Sequence, residues 1–381
     1  MMDSMASETK AGLEDVVATT SAICYLDGDR GVLAYRGYDI HDLACGVSFE
    51  EACHLLWHGR LPNRAELGDL QSQLAEARAL SEPILRFIRL LPAVDGMDAL
   101  RTLTSILAHH DPDADDPSAQ ASYRKAVRLT GQLASVTATY GRMNGGGGPI
   151  QPDPGLGHAA NFLYMLTGER PSPQASRAFD VALVLHADHE LNASTFAARV
   201  AAATLSDMHS AIVGAIGTLK GPLHGGANAD VMRLLREIGA DAGPDRAEQV
   251  VRAKLARKEK IPGFGHRVYR TEDPRATHLR GMAQELGQRT GDTRWLEISR
   301  RIEAVVKREK GLNANVDFYS ASVYDALGIP VELYTPIFAV SRIAGWTAHV
   351  LEQYAHNRLI RPRTEYVGPA YPQTLVPLDA R

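Results

Sequence analysis

Four short stretches of this chain carry residue types suited to proton transfer and anion binding. The longest runs from Lys260 to Arg275. Pro262, Gly263 and Gly265 keep it out of helix and let its backbone approach a bound molecule closely. His266 follows at once, a side chain that donates a hydrogen bond or a proton near neutral pH. Asp273-Pro274 reads as a helix N-cap followed by proline at the first helical position. Arg275 then falls in the first turn, where the helix dipole opposes a positive charge. An anion for it to hold explains the arginine better than stability does; the plainer reading is a loop with a solvated basic rim.

The other three stretches are as polar. His186-Ala-Asp-His189-Glu190 ends an apolar run at 181–185. All three residue types bind metals, yet the order is neither His-Glu-x-x-His nor its inverse. A polar helix end, or a substrate-binding His189, therefore fits better than a metal hydrolase built on His186, His189 and Glu190. Gly221-Pro-Leu-His224-Gly-Gly-Ala-Asn228 sets a histidine between helix breakers, either a simple turn or a ring freed from helical packing beside exposed backbone amides. Asn313-Ala-Asn315-Val-Asp317 puts one carboxylate at a mostly apolar helix start, where an N-cap is the commonest duty. Arg342 interrupts the apolar run 337–344, and a buried arginine needs an anionic partner. His189, His224 and His266 with Asp317 suit proton transfer at a carbonyl compound. Arg275, Arg342 and Arg361 suit carboxylates, which the guanidinium fork grips in pairs. No nucleophilic serine or cysteine motif and no dinucleotide fingerprint is visible.

The elements that must hold these residues read as helices almost throughout. Residues 22–36 alternate and break at Asp27-Gly28, the mark of a small β-hairpin and nearly the only strand signal. Ser48 and Glu51 form a capping box before Phe49, Ala52, Cys53, Leu56 and Trp57, which repeat at helical spacing, and Gly59 and Pro62 end that helix. Further helices are expected at about 64–80, 96–110, 118–142, 157–167 and 173–190. Residues 144–155 hold four consecutive glycines but lack the Lys-Ser/Thr and preceding strand of a phosphate loop, so they read as a flexible connection. The run 194–219, rich in alanine and glycine, is expected to lie against other helices, in a core or a subunit interface. A capping box from Asp245 to Glu248 opens a helix to about 258, and others follow at 274–289, 293–309, 318–327, 333–343 and 344–357. An irregular tail starts at Arg361-Pro362-Arg363.

Composition sets the bounds. A chain of 381 residues buries a large core, enough for one big domain and a smaller one. Its 45% hydrophobic and 23% charged residues are those of a soluble globular protein. A net charge of −4 argues against a general nucleic-acid or anionic-membrane binder, so any anion site is a local cluster. No window is apolar for long enough to span a bilayer. Cys24, Cys45 and Cys53 form neither a metal spacing nor an even disulfide set, which makes a cytoplasmic setting the default. The first ten residues lack the basic and apolar runs of a signal peptide.

The stretches Leu-His-Ala-Asp-His-Glu, Gly-Pro-Leu-His-Gly-Gly-Ala-Asn, Pro-Gly-Phe-Gly-His-Arg-Val-Tyr-Arg-Thr-Glu-Asp-Pro-Arg and Asn-Val-Asp-Phe-Tyr-Ser closely resemble citrate synthase, in the family's order and separations, from about residue 13 to residue 369. The chain looks like the short form of bacteria and archaea. The resemblance implies an all-α homodimer, with a large domain at 1–225 plus 329–381 and a small domain at 226–328 that closes over substrate. It implies that acetyl-CoA and oxaloacetate condense to citryl-CoA, which hydrolyses to citrate and CoA, with no cofactor besides the thioester substrate. 2-Methylcitrate synthase, which takes propionyl-CoA in the same fold, is the nearest rival. Position by position, His224, His266 and Asp317 match the catalytic residues, and His189, Arg275 and Arg342 match oxaloacetate ligands. Arg361 matches an arginine supplied to the neighbouring subunit. Lys260, Ile261, Pro262, Gly263, Phe264 and Gly265 match the loop that cradles coenzyme A, and Arg270 a contact to its phosphates. His186 and Arg363 are neighbours that tune the site at most.

Overall fold

The computed structural model describes residues 11–13 and 16–381, and is helical apart from one small sheet. The reading of residues 1–10 lies outside the described residues. Strands β1 (Cys24–Asp27) and β2 (Val32–Tyr35) form the expected antiparallel hairpin, with Leu26 opposite Leu33. A third strand, β3 (Tyr38–Asp39), was not expected; Arg36 and Gly37 take positive φ (50° and 86°) and turn the chain back onto β2. The hairpin turn presses on the loop after His266. A Cβ on Gly28 would strike the Val268 carbonyl, and Gly28 O accepts from Arg270 N at 3.0 Å.

Asp39 caps a short helix that sequence reading passed over, α1 (Ile40–Gly46). Helix α2 (Phe49–His58) carries the Ser48–Glu51 capping box and ends on Gly59 at φ 76°. Asn63 opens α3 (Arg64–Ala77). The next helix, α4 (Glu82–Leu90), also went unread, because nine residues bury only Ile84, Leu85 and Ile88. Then come α5 (Gly96–Ala108) and the 26-residue α6 (Ala119–Asn144). The glycine-rich connection behind α6 is tied down by Arg142, whose Nε donates to Gly148 O at 2.8 Å. It leads to α7 (His158–Thr167) and α8 (Pro173–His186), which stops four residues before the expected end. The small-residue run is two helices, α9 (Ala193–Ala203) and α10 (Met208–Leu219). Asp207 caps the second, and Leu205 at φ 64° breaks the chain between them. Ala198, Ala202, Ala211 and Ala215 are fully buried in the core that these helices share.

Helices α11 (Ala227–Ile238), α12 (Gly243–Ala256), α13 (Pro274–Thr290), α14 (Arg294–Lys310) and α15 (Val316–Ala326) pack on one another. The expected Asp245–Glu248 box does not form. Helix α12 starts three residues earlier, with Ala242 at the N-cap position, and Glu248 instead accepts Arg301 at 2.6 Å and Arg308 at 3.0 Å. Residues 333–357, expected as two helices, form one, α16 (Tyr334–Ala355). Gly345 does not break it, because its missing Cβ is what lets α16 meet the Ala187–Asp188 turn. Helix α16 is buried along most of its length, against α2, α5, α6, α8, α9 and α10. No described helix is long and apolar enough to cross a membrane.

Candidate active site

The loop 260–265 is pinned to the segment that starts α15. Gly265 N donates to Asn313 O (3.0 Å), Asn315 N to Gly263 O (2.9 Å), and Asn315 Nδ2 to Gly265 O (2.8 Å). Gly263 and Gly265 have φ of 80° and 76°, and a Cβ on Gly263 would come within 2.9 Å of Phe318. Only glycine fits there. Two of the four polar stretches therefore meet through backbone pairing, and Asp317 sits one turn from the loop.

Asp273 joins them. It caps α13 through Arg275 N (3.1 Å) and accepts Val316 N from α15 (3.0 Å). Its carboxylate also takes Arg275 Nε (2.9 Å) and Nη2 (2.8 Å), with both side chains buried. The anion that sequence reading sought for Arg275 is thus first an internal one, two residues away. The cap of α15 is Asn315, whose Oδ1 accepts Asp317 N at 3.0 Å. Asp317 has no capping duty, and its Oδ1 is buried with no hydrogen-bond partner. Burial pushes this carboxyl up to about 7; Asp273 adds to the rise, and Arg275 and Arg342 oppose it.

The two loop histidines are held in opposite tautomers. His266 Nδ1 accepts the backbone N–H groups of Val268 (3.0 Å) and Tyr269 (3.2 Å). An acceptor nitrogen carries no proton, so the neutral ring donates from Nε2. His224 Nε2 accepts Ser194 N (3.3 Å) and lies 2.9 Å from Ser194 Oγ, so its neutral ring donates from Nδ1. Ser194 Oγ is fixed in turn by Trp346 Nε1 (3.1 Å) and Asn192 Oδ1 (2.8 Å). Burial, helped by Arg275 beside His266 and by Arg342 beside His224, holds each imidazole down to about 4. Both are neutral hydrogen-bond donors at pH 7.

His189 sits against His266, with ring centroids 5.1 Å apart, and its Nε2 lies 3.2 Å from the Tyr269 hydroxyl. Burial first, then Arg275, keeps it neutral. Arg342 donates Nε to His186 O (2.7 Å) and lays its guanidinium 4.8 Å from the Phe338 ring centre. Burial pulls it down to about 10, with Asp188 opposing. Among the described residues it has no carboxylate in ion-pair contact, so none of them is the anionic partner expected from its burial. His186 turns away: its Nδ1 bonds Ala182 O (2.7 Å) and its ring packs edge-on to Phe338. Among the described residues no three metal-ligating side chains gather to hold an ion, at His186 and His189 or elsewhere. Arg270 is largely exposed, 3.2 Å from Asp29, while Lys260 is exposed at the loop entrance. Arg361 lies apart, exposed on the tail and lining a cavity of about 1050 Å³ with Arg199 and Glu352.

Sequence reading missed Ser194, Tyr269 and Trp346, which set the histidines' orientation. Tyr269 lies within the Lys260–Arg275 stretch, whereas Ser194 and Trp346 carry no local signal.

The family profile "Citrate synthase, C-terminal domain" matches residues 12–363. Over 372 residues the chain is 54% identical to "Citrate synthase 2" of Bacillus subtilis, covering 97% of this chain and 98% of that one. It is 52% identical to the citrate synthase of Haloferax volcanii, covering 96% and 97%. At 45% identity it also resembles a "Citrate/2-methylcitrate synthase" of Bacillus subtilis, covering 94% and 96%. Its fold superimposes with a TM-score of 0.91 on the Thermoplasma acidophilum citrate synthase solved with carboxymethyl coenzyme A and oxaloacetate, at 33% identity and covering 98% and 99%. With a profile spanning nearly its whole length and relatives above half identity, the chain belongs to the citrate synthase family.

Proposed function

We propose that the chain condenses acetyl-CoA with oxaloacetate and hydrolyses the citryl-CoA formed, with Asp317 as base and His224 and His266 as hydrogen-bond donors. Two observations support these roles: a carboxyl raised to about 7 whose Oδ1 is buried without a hydrogen-bond partner, and two neutral imidazoles of fixed, opposite tautomer. A thioester methyl is a very weak acid. Asp317 takes its proton only if the oxygen of the developing enolate is stabilised, and the Nδ1–H of His224 is available for that. The enolate carbon then forms a bond to the ketone carbon of oxaloacetate, whose oxygen gains the electron pair and accepts from Nε2–H of His266. Water cleaves the citryl thioester to citrate and CoA.

His189, Arg275 and Arg342 bind oxaloacetate in this reading. Arg275 brings its own counter-ion and Arg342 does not, so Arg342 supplies the uncompensated positive charge that a dianion needs. Residues 260–265 receive coenzyme A and Arg270 its phosphates; the positive-φ glycines and the exposed Arg270 support this. The helical unit at 226–328 closes as a small domain over the large one at 1–225 plus 329–381, excluding water until condensation is done. The enzyme is a homodimer in which Arg361 reaches the partner's site. Support comes from the exposed extended segment after α16, whose Leu359, Tyr366, Val367, Tyr371 and Leu375 leave large apolar surface uncovered. Three unpaired cysteines fit a cytoplasmic setting.

The test is thiol release from acetyl-CoA on adding oxaloacetate, with propionyl-CoA in parallel. One methylene in a pocket is worth about 1–3 kcal/mol, so some propionyl turnover is expected. A higher kcat/KM for propionyl-CoA would make the chain a 2-methylcitrate synthase instead.

A further inference from the structure

Helix α16 follows the turn at 186–189 residue by residue along one face. Arg342 holds the His186 carbonyl at 2.7 Å. One turn on, Gly345 N donates to Ala187 O at 3.0 Å, and its bare Cα leaves room for the Asp188 carboxylate, which a Cβ would strike. A further turn on, His349 faces that same carboxylate, with Nε2 3.4 Å from Oδ1 and 3.5 Å from Oδ2. Positions 342, 345 and 349 are spaced i, i+3, i+7, one stripe of a helix. Asp188 is fully buried, and no other side chain in the described residues forms an ion pair with it.

The other nitrogen of His349 is engaged from behind. Arg199 Nη1 lies 3.0 Å from Nδ1, and a guanidinium only donates, so Nδ1 is bare and the ring proton stands on Nε2, toward Asp188. Arg199 is itself fixed by Glu352 (Nη1 to Oε2, 2.6 Å) and Gln353 (Nε to Oε1, 3.1 Å), and Glu352 Oε1 accepts Ala22 N at 2.9 Å. Glu352, Arg199, His349 and Asp188 thus form one polar chain. It runs from the cavity beside Arg361 to the residue that precedes His189.

We infer that His349 is a positioning residue for the oxaloacetate side of the site: Arg199 sets its tautomer, its Nε2–H anchors Asp188, and the anchored turn aims His189. Without the His349 proton, Asp188 keeps only the His189 backbone N–H and the Cys24 thiol; a buried carboxylate so depleted swings or takes up a proton, and either change moves the adjacent His189. The inference rests on the oxaloacetate role of His189 proposed above.

His349→Phe keeps the ring's bulk and removes both polar contacts; His349→Gln keeps an acceptor for Arg199 and a donor for Asp188. On the wild-type dimeric enzyme and both variants, the Michaelis constants for oxaloacetate and acetyl-CoA are measured separately, with oxaloacetate binding by calorimetry. In His349→Phe the oxaloacetate constant is expected to rise about 10–100-fold, the scale of a small misplacement of a binding group. The acetyl-CoA constant is expected to stay within about twofold, and His349→Gln to recover most of the loss. Equal shifts for both substrates, no shift for either, or a glutamine variant as impaired as the phenylalanine one would each overturn the inference. If His349→Phe does not fold, the glutamine variant decides alone, by an oxaloacetate constant within about threefold of wild type or not. Wild-type protein that releases no thiol would refute the proposed reaction, and calorimetric oxaloacetate binding would still test His349.

Discussion

At the scale of single residues, the site is a balance of buried charges. Asp317 titrates near 3.8 when solvated and near 7 in the fold. Its contribution to stability is therefore fully present below pH 3.8 and lost as pH rises to about 7. At about 1.4 kcal/mol per pH unit, the ionised carboxylate costs the native state at most about 4 kcal/mol above pH 7. Asp317→Asn removes that cost. The variant is expected to match wild type in urea midpoint near pH 4 and to exceed it by pH 8; equal midpoints at both pH values would refute the raised pKa. The residues of this balance were legible in the sequence because histidines, arginines and an aspartate stand out in apolar or glycine-rich surroundings. Their partners were not. Ser194 with His224, and His349 with Asp188, lie 30 and 161 positions apart, so only the fold pairs them.

At the scale of elements, backbone contacts bring the stretches together. Gly263 is the clearest case, at φ 80° and with Val231 and Phe318 within 2.9 Å of any Cβ. Gly263→Ala is expected to lose about 1–3 kcal/mol of stability from backbone strain. By loosening the pairing of 263–265 with 313–315 it should also raise the acetyl-CoA constant more than the oxaloacetate constant. An unchanged melting temperature with unchanged constants contradicts this account. Sequence reading found the long amphipathic helices and their caps at Ser48 and Asp273. It passed over α1 and α4, whose seven and nine residues hold too few turns for a periodic pattern. It also split α16 in two, because a glycine inside a helix looks like a break until its packing partner is known.

At the scale of the whole molecule, two expectations follow. Burial holds His158, His186, His189, His224 and His266 below the ordinary 6.5, so the folded chain carries them neutral while the unfolded chain protonates them. Each contributes stability above pH 6.5 that is lost as pH falls toward its folded value, at up to about 1.4 kcal/mol per pH unit. Chemical denaturation at pH 7 and pH 5 should show a marked fall, and equal stability at both would contradict it. The second concerns assembly. Arg361→Ala is expected to weaken oxaloacetate binding about tenfold or more, the cost of a lost charged hydrogen bond, while sedimentation still reports a dimer. Unchanged affinity would remove Arg361 from the site. The single-domain-scale features, helical class and hairpin, were readable from periodicity; the exposed tail was readable only as irregular, since its proposed contacts lie on another chain.

The most direct measurement is the rate of thiol release from acetyl-CoA with saturating oxaloacetate in wild type and Asp317→Asn, alongside calorimetric oxaloacetate binding. Rapid release by wild type, a loss of at least about 100-fold in the variant, and oxaloacetate binding within a few-fold are the expected results. Turnover retained in Asp317→Asn would contradict the account at its centre.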